Sequence, residues 1–337
     1  MTRSISEEIV IEGKNILITG GTGFIGSHLA EMLLKQGNNV TCFDRYNINN
    51  SWGWLEGSEF ANDINVILGD IRDFDSVHAA TSGQDIIFHL AALIGIPYSY
   101  KSPLAYIRTN IEGTYNILES SKLREVEKII ITSTSETYGT AQTIPINESH
   151  PLVGQSPYSA SKISADQLAL SYYLSFDSPI TIARPFNTYG PRQSSRAIIP
   201  TIFSQAMLGN ELKLGNLSPT RDLTYVEDTC RGFVEIASHS QLIGEVINIG
   251  SNREISIGDL AIMIKDIVGK ELNIIESQER LRPEKSEVDR LLCDNTKISK
   301  LTSWKPEVDL RNGLINVFTW MKSIDLNQVY KADRYNV

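Results

Sequence analysis

Residues 15–26 read Asn15-Ile16-Leu17-Ile18-Thr19-Gly20-Gly21-Thr22-Gly23-Phe24-Ile25-Gly26. An apolar run too continuous for a half-exposed strand ends in a glycine cluster. A stripe of Ile25, Leu29, Met32 and Leu33 at helical spacing follows. The cluster satisfies G-x-x-G-x-x-G from Gly20 and G-x-G-x-x-G from Gly21. A bare glycine pattern is weak evidence. One that closes a buried strand and opens a helix permits a tight turn and turns free helix N–H groups toward a pyrophosphate. The bland alternative, a glycine-rich turn without a ligand, fits that context less well.

Outward from this loop, short apolar runs alternate with helical patterns. Residues 39–43, 65–68, 85–88 and 128–132 are further candidate buried strands, and the stripe Ile111, Tyr115, Leu118, Leu123 reads as a helix before the last of them. The expected fold is therefore α/β: a Rossmann-like, doubly wound parallel sheet with helices on both faces. Beyond Pro185, Gly190-Pro191, Gly209-Asn210, Gly215-Asn216 and Ser218-Pro219 punctuate shorter elements. This predicts a dinucleotide-binding domain over 1–185 and a smaller C-terminal α/β substrate lobe over 186–337. Segments near 227–250 return to the large sheet, and 180–183 and 244–249 supply further strands. The connection 46–62, rich in Asn, Gly and Trp, is either a functional flap or a decorated loop.

Asp44 ends the second strand about 20 residues past the glycines, where a carboxylate accepts hydrogen bonds from both ribose hydroxyls and repels a 2′-phosphate. This favours NAD over NADP, although Arg45 beside it would suit the phosphorylated cofactor. Asp70-Ile71, after the third strand, is a candidate adenine contact. Asp70 and Asp73 read equally as helix caps.

Composition bounds the partners. The chain has 31 Lys+Arg against 40 Asp+Glu, a formal charge of -9, which disfavours nucleic-acid binding by counterion release. Cys42, Cys230 and Cys293 form no C-x-x-C pair and lack neighbouring histidines, so a reducing compartment and no metal site are expected. Residues 1–8 carry acids and no apolar core of a leader, and no apolar run approaches the roughly 20 residues a spanning helix needs. A cytoplasmic protein without membrane association is the expectation.

Tyr158-Ser159-Ala160-Ser161-Lys162 places a phenol and an ammonium at i and i+4, on one face of a helix begun by Ser156-Pro157. A cation held there favours phenolate and would lower the tyrosine pKa by roughly 1–3 units. Alone, Y-x-x-x-K is as often a surface pair. Here it follows a nucleotide loop and a fifth strand. That strand runs into Thr132-Ser133-Thr134-Ser135-Glu136-Thr137-Tyr138-Gly139, bringing hydroxyls and one carboxylate to the sheet edge where open α/β folds bind ligands. Thr134 is a candidate partner for a substrate hydroxyl. Glu136 is either an acid/base or a solvated loop acid.

Together the TGGTGFIG loop, Asp70, Leu90-Ala91-Ala92, Asn110, STSETYG and YSASK resemble the extended short-chain dehydrogenase/reductases that modify nucleotide sugars, over nearly the whole chain. Within them, HLAALIGIPYSY, ARPFNTYGPRQSSRAIIPT, LSPTRDLTYVEDT and RLRPEKSEVDR look like the NAD-dependent 4,6-dehydratases acting on nucleotide-linked N-acetylglucosamine in legionaminic acid biosynthesis. The resemblance implies a cofactor site that takes in Gly20, Gly23, Phe24, Ile25 and Gly26 of the loop, with Asp44 and Arg45. It adds Asp70, Ile71, Leu90, Ala91, Ala92 and Asn110, then Thr132, Ser133, Tyr158, Lys162 and Pro185.

It further implies a redox-neutral cycle. Tyr158 removes the proton from the 4-hydroxyl as NAD takes the C4 hydride, Glu136 takes the C5 proton, water leaves C6, and the hydride returns there. Lys162 would hold the nicotinamide ribose and the phenolate, and Thr134 would share the bond to O4. Asn187, Arg196, Arg221 and Arg282 would surround the nucleotide half of the substrate, with Tyr189 and Arg192 as lesser candidates; each reads otherwise as a surface or turn residue.

One departure matters: glucose-nucleotide dehydratases of the family carry Asp-Glu where this chain has Ser135-Glu136. Glu136 would then both take the C5 proton and relay it to O6. Thr-Ser-Glu also resembles nucleotide-glucuronate decarboxylases, though those usually show Y-D-x-x-K. The 4-epimerases use the same Tyr and NAD but have no task for Glu136. A sensor that binds dinucleotide without turnover would not need the proton-transfer set. The family also implies a homodimer through the helices around 111–123 and 158–176. The choice of UDP or GDP carrier stays open.

Overall fold

The computed structural model describes residues 11–330; the N-terminal stretch read above as lacking a leader lies outside them. Strands β1 (Asn15–Thr19), β2 (Asn39–Arg45), β3 (Asn65–Gly69), β4 (Ile86–His89), β5 (Lys128–Thr132) and β6 (Ile180–Pro185) precede β7 (Asn187–Tyr189), β8 (Glu211–Leu214) and β9 (Thr220–Tyr225). They are followed by β10 (Val246–Ile249), β11 (Glu254–Ser256) and β12 (Asn273–Glu276). One seven-stranded sheet has the order β10-β6-β5-β4-β1-β2-β3, every pair parallel. The expected α/β doubly wound sheet is thus the observed one, with each strand within two residues of its predicted place. The order of strands reverses between β1 and β4, so a crevice opens outside their carboxyl ends.

The central strands β1, β4, β5 and β6 are mostly apolar because both faces are covered. Ile16, Ile18, Phe88 and Ile130 pack on one side with Leu29, Leu33 and Phe233; Leu17, Ile87, Ile129 and Ile131 pack on the other with Ile117, Leu118, Ala169 and Tyr172. Consecutive side chains alternate faces, yet neither face meets water. Truncating one such residue, as in Ile130→Ala, costs about 2–5 kcal/mol in transfer and cavity terms.

The stripe over 111–123 is a correction. Ile107–Glu112 is π-helical and only Gly113–Leu123 is α-helical. Ile117 and Leu118 are buried while Tyr115 and Leu123 are 45% and 56% exposed; Leu118 and Leu123, five residues apart, point about 140° from each other on an α-helix.

Two small sheets, β11-β9-β7 and β12-β8, build the other lobe. The helix Val226–Ser238 packs back on β5 and β6, and β10 is the edge strand of the large sheet. In the connection 46–62, Trp54 N–H donates to the Thr22 carbonyl (3.1 Å) and the Trp54 ring meets Trp320, centroids 5.5 Å apart, so the segment is packed against the glycine loop. Among the described residues no helix is long and apolar enough to cross a membrane.

Candidate active site

The glycine loop is shaped by three close approaches. Gly20 has φ +72 and its N–H donates to Phe43 O at 2.8 Å. A Cβ on Gly26 would stand 2.2 Å from Gly20 O, and one on Gly21 would stand 2.4 Å from Cys42 Sγ. Helix Phe24–Lys35 starts at Gly23 with no side-chain cap, leaving its first N–H groups to a ligand. Asp44, at the end of β2, is held by Thr22 through both its N–H (3.1 Å) and its hydroxyl (2.5 Å). Its other oxygen accepts from Arg45 N–H at 2.7 Å, and Arg45 is exposed. An uncapped helix end, a loop with no room for side chains and a fixed carboxylate about 20 residues on fit a dinucleotide with an unphosphorylated ribose.

Asp70 is paired in a fork with Arg72, at 2.9 and 2.5 Å, which holds its carboxyl below the usual range. Asp73, by contrast, caps helix Phe74–Ala80. Ile71 is buried against Gly113, and its carbonyl accepts from Asn116 at 3.0 Å. Leu90 and Ala91 donate their N–H groups to Thr19, and Ala91 lies directly behind Gly20. Ala92 follows in the same connection. Asn110 spends its amide on Leu93 N–H, Leu93 O and Ser161 Oγ, so it ties the segment after β4 to the Tyr158 helix.

That helix, Pro157–Phe176, begins with a capping box between Ser156 and Ser159, and Pro157 fits its first turn. Tyr158 and Lys162 are 7% and 4% exposed. Lys162 Nζ donates to Thr132 O at 2.7 Å, and burial lowers its pKa against the opposing pull of Asp166. Tyr158 overturns the sequence expectation of a lowered pKa. Burial raises it, a hydrogen bond with Thr134 opposes the rise, and the Glu136 charge adds to it. The Lys162 ammonium gives one of its three donors to the Thr132 carbonyl, and taking phenolate out of water is the largest cause of the rise. Tyr106, whose hydroxyl donates to Gly95 O at 2.5 Å, packs edge-on against Tyr158 with centroids 6.2 Å apart.

Thr134 caps the single turn Ser135–Tyr138 and accepts Glu136 N–H at 3.3 Å. Ser135 and Glu136 are 2% and 8% exposed. Glu136 stands near enough to Tyr158 and to Arg221 to shift both. It is therefore no solvated loop acid. Thr132 Oγ1 is buried with no partner within the chain, as is Asn187 Oδ1 at the start of β7. Ser133 turns its hydroxyl away from the crevice, onto Asp166. Pro185 ends β6 opposite Ile249.

Arg221 and Arg282, 61 positions apart in sequence, converge on one carboxylate: each lies 3.5 Å from Glu287 Oε1. Burial lowers the Arg221 pKa, and Glu136 supports its charge. Two guanidinium groups sharing one carboxylate oxygen leave donors for a diphosphate. Arg196 is exposed, close enough to Tyr106 for its charge to be felt there. Tyr189 and Arg192 lie outside this group: Tyr189 OH donates to Leu310 O at 3.3 Å, and Arg192 pairs with Glu31 at 2.9 Å.

Sequence reasoning missed Thr22, Tyr106, Asp166, Arg184 and Glu287. Only Asp166 carried a signal, lying four residues beyond Lys162 on the same helix face. Among the described residues no cluster of His, Cys, Asp and Glu could hold a metal ion.

This fold and site define a class, the nucleotide-sugar dehydratases, epimerases and decarboxylases built on the short-chain dehydrogenase/reductase sheet. The family model described as GDP-mannose 4,6 dehydratase matches residues 17–317, and the chain belongs to that family. A UDP-N-acetyl-alpha-D-glucosaminuronate decarboxylase of Bacillus cytotoxicus is 35% identical over 324 residues, 93% of this chain and 99% of the relative. A putative UDP-glucose 4-epimerase of Methanocaldococcus jannaschii is 32% identical over 314 residues, 91% and 98% of the two chains. The structure of DesIV, a dTDP-glucose 4,6-dehydratase from Streptomyces venezuelae with NAD and TYD bound, superposes with TM-score 0.85 at 26% identity, covering 94% of this chain and 99% of that one.

Proposed function

We propose that the protein is an NAD-dependent 4,6-dehydratase that converts a nucleotide-linked N-acetylglucosamine, on UDP or GDP, to its 4-keto-6-deoxy sugar for legionaminic acid biosynthesis. The cofactor is NAD, held at the Gly20–Gly26 loop and Asp44. Bound there, NAD would supply reversible hydride storage between C4 and C6, so that no outside reductant would be consumed.

Tyr158 accepts the proton of the 4-hydroxyl as phenolate, the form that the Thr134 hydroxyl and the Lys162 charge favour. The C4 ketone acidifies C5. Glu136 then accepts the C5 proton and passes it to the departing C6 hydroxyl, which leaves as water. It serves both steps because the preceding residue, Ser135, has a hydroxyl too weakly acidic to protonate a leaving group. C5 regains a proton from solvent. Arg221 and Arg282 hold the diphosphate, with Asn187 and Arg196 nearer the sugar and carrier.

The observation that carries this reading is Glu136: a buried carboxylate at the sheet edge, within electrostatic reach of Tyr158 on one side and Arg221 on the other. Epimerisation leaves it without a task. The sequence likeness to a decarboxylase makes that the second reading, since loss of CO2 also follows C4 oxidation. A cytoplasmic homodimer agrees with three free, buried cysteines and with apolar side chains left exposed on the helices around 107–123 and 157–176.

The test incubates the protein, without reductant, with UDP- and GDP-N-acetylglucosamine and the corresponding glucuronates in deuterated water, and weighs the products. Loss of one water with deuterium at C5 supports dehydration. An isomer of unchanged composition, or loss of CO2 from a glucuronate, overturns it.

A further inference from the structure

Beneath the proton-transfer residues lies an ion pair that the reaction itself does not use. Arg184, on β6, and Asp166, on the Tyr158 helix, meet at 2.6 Å with side chains 2% and 1% exposed. A buried pair of this kind rarely adds net stability over apolar packing, so its contacts are informative. Asp166 Oδ2 also accepts the Ser133 hydroxyl at 2.6 Å. The Arg184 guanidinium lies over the Tyr138 ring, 4.7 Å from its centroid, and Tyr138 OH donates to Asn248 on β10 at 2.8 Å.

Ser133 and Tyr138 bracket the residues Thr134, Ser135 and Glu136. One pair therefore holds both ends of the turn: the first through a charge-assisted hydrogen bond, the second through a cation–π contact. Asp166 is four residues past Lys162, so the same carboxylate joins this turn to the face that bears Tyr158 and Lys162.

The geometry points to Asp166 and Arg184 as positioning residues whose task is to fix the Thr134–Glu136 turn against the Tyr158–Lys162 helix. They touch no reacting atom. The inference rests on the reading of Glu136 as the group acting at C5. A loosened turn moves Glu136 relative to Tyr158, so the step at C5 suffers more than the step at C4. A displacement of about 1 Å costs on the order of a hundredfold in rate.

The experiment uses the full chain with bound NAD and compares Tyr138→Leu with the conservative Tyr138→Phe. Three quantities are read: melting temperature, the single-turnover rate of nicotinamide reduction (C4 oxidation), and the rate of final product formation. Expected for Tyr138→Leu are a folded protein, C4 oxidation within about threefold of the unaltered enzyme, and product formation slower by about tenfold to a hundredfold. Reduced nicotinamide then accumulates, and Tyr138→Phe restores the ratio of the two rates. If Tyr138→Leu fails to fold, the doubly neutral Asp166→Asn/Arg184→Gln, which leaves no unpaired charge, gives the same ratio.

Equal slowing of both steps, or an unchanged ratio, overturns the inference. The dehydratase reading fails separately: it fails if the unaltered enzyme yields a product other than the dehydrated sugar, and the ratio is then read with that product.

Discussion

The ammonium of Lys162 donates a 2.7 Å hydrogen bond to the carbonyl oxygen of Thr132, so the helix carrying Tyr158 is fastened to the end of the strand that leads into Thr134 and Glu136. This contact orients Tyr158 while leaving its pKa raised by burial. On the proposed mechanism the Tyr158 oxygen receives the 4-hydroxyl proton, and Tyr158→Phe removes that acceptor while leaving the packing. C4 oxidation should fall by about 10²–10⁴-fold with NAD still bound, read as the single-turnover rate of nicotinamide reduction beside the cofactor content. A variant that oxidises C4 at the normal rate would show that the base lies elsewhere.

Glu136→Gln separates the two halves of the cycle. On the proposed mechanism the carboxylate acts after C4 oxidation, so the first step should persist while product formation drops by about 10²-fold or more, with reduced nicotinamide building up. Product at the unaltered rate would remove Glu136 from the mechanism.

Gly26→Ala tests the loop. The added Cβ would meet Gly20 O at 2.2 Å and Gly21 Cα at 2.8 Å, both backbone atoms with little room to yield. We expect a loss of about 1–3 kcal/mol of stability and weaker NAD binding, by calorimetric melting and titration. An unaltered NAD affinity would show that this approach does not shape the cofactor site.

His28 sets an acid limit on stability. Burial, aided by the charge of Arg192, lowers its pKa from 6.5 to about 4. The folded state thus binds fewer protons than the unfolded one between these values, so the contribution is complete above pH 6.5 and is lost as pH falls toward 4. The loss amounts to roughly 3 kcal/mol. His89, buried between Thr19 and Thr114 and lowered to about 3, acts in the same direction. Urea midpoints measured across this range should fall on acidification, and less steeply in His28→Gln. A slope the substitution leaves unchanged would assign the effect to other groups.

The exposed apolar residues on the two helices should be covered by a second copy. Ile107 and Tyr115 are 51% and 45% exposed. Charging both, as Ile107→Glu/Tyr115→Glu, should convert a dimer into a monomer in sedimentation velocity, with little change in melting of the isolated chain. A monomer before substitution would reject the dimer.

The legible parts of this protein are local. The Gly20–Gly26 loop, Asp44 at the strand end and the Tyr158–Lys162 spacing each lie within one turn or one strand–loop–helix unit, where periodicity and capping chemistry leave marks in the order of residues. The misplaced stripe at Tyr115 and Leu123 shows the limit: the five-residue step from Leu118 to Leu123 departs from the helical period, and only packing shows which face is buried.

Sequence order also could not supply the pairs that complete the site. Arg221 and Glu287 are 66 residues apart, Ser133 and Asp166 are 33 apart, and Asp166 and Arg184 are 18 apart. Their meeting depends on which strands lie side by side. The direction of the Tyr158 shift was likewise settled by burial, which only the packed sheet and helices create.

What the amino-acid order determined alone was the strand–loop–helix alternation, the glycine loop and the Tyr158–Lys162 pairing on one helix face, because these follow from short-range sterics and side-chain chemistry. The assembled fold decided which charges face one another and how much water reaches them. Both depend on distances in space that the spacing of residues along the chain does not encode.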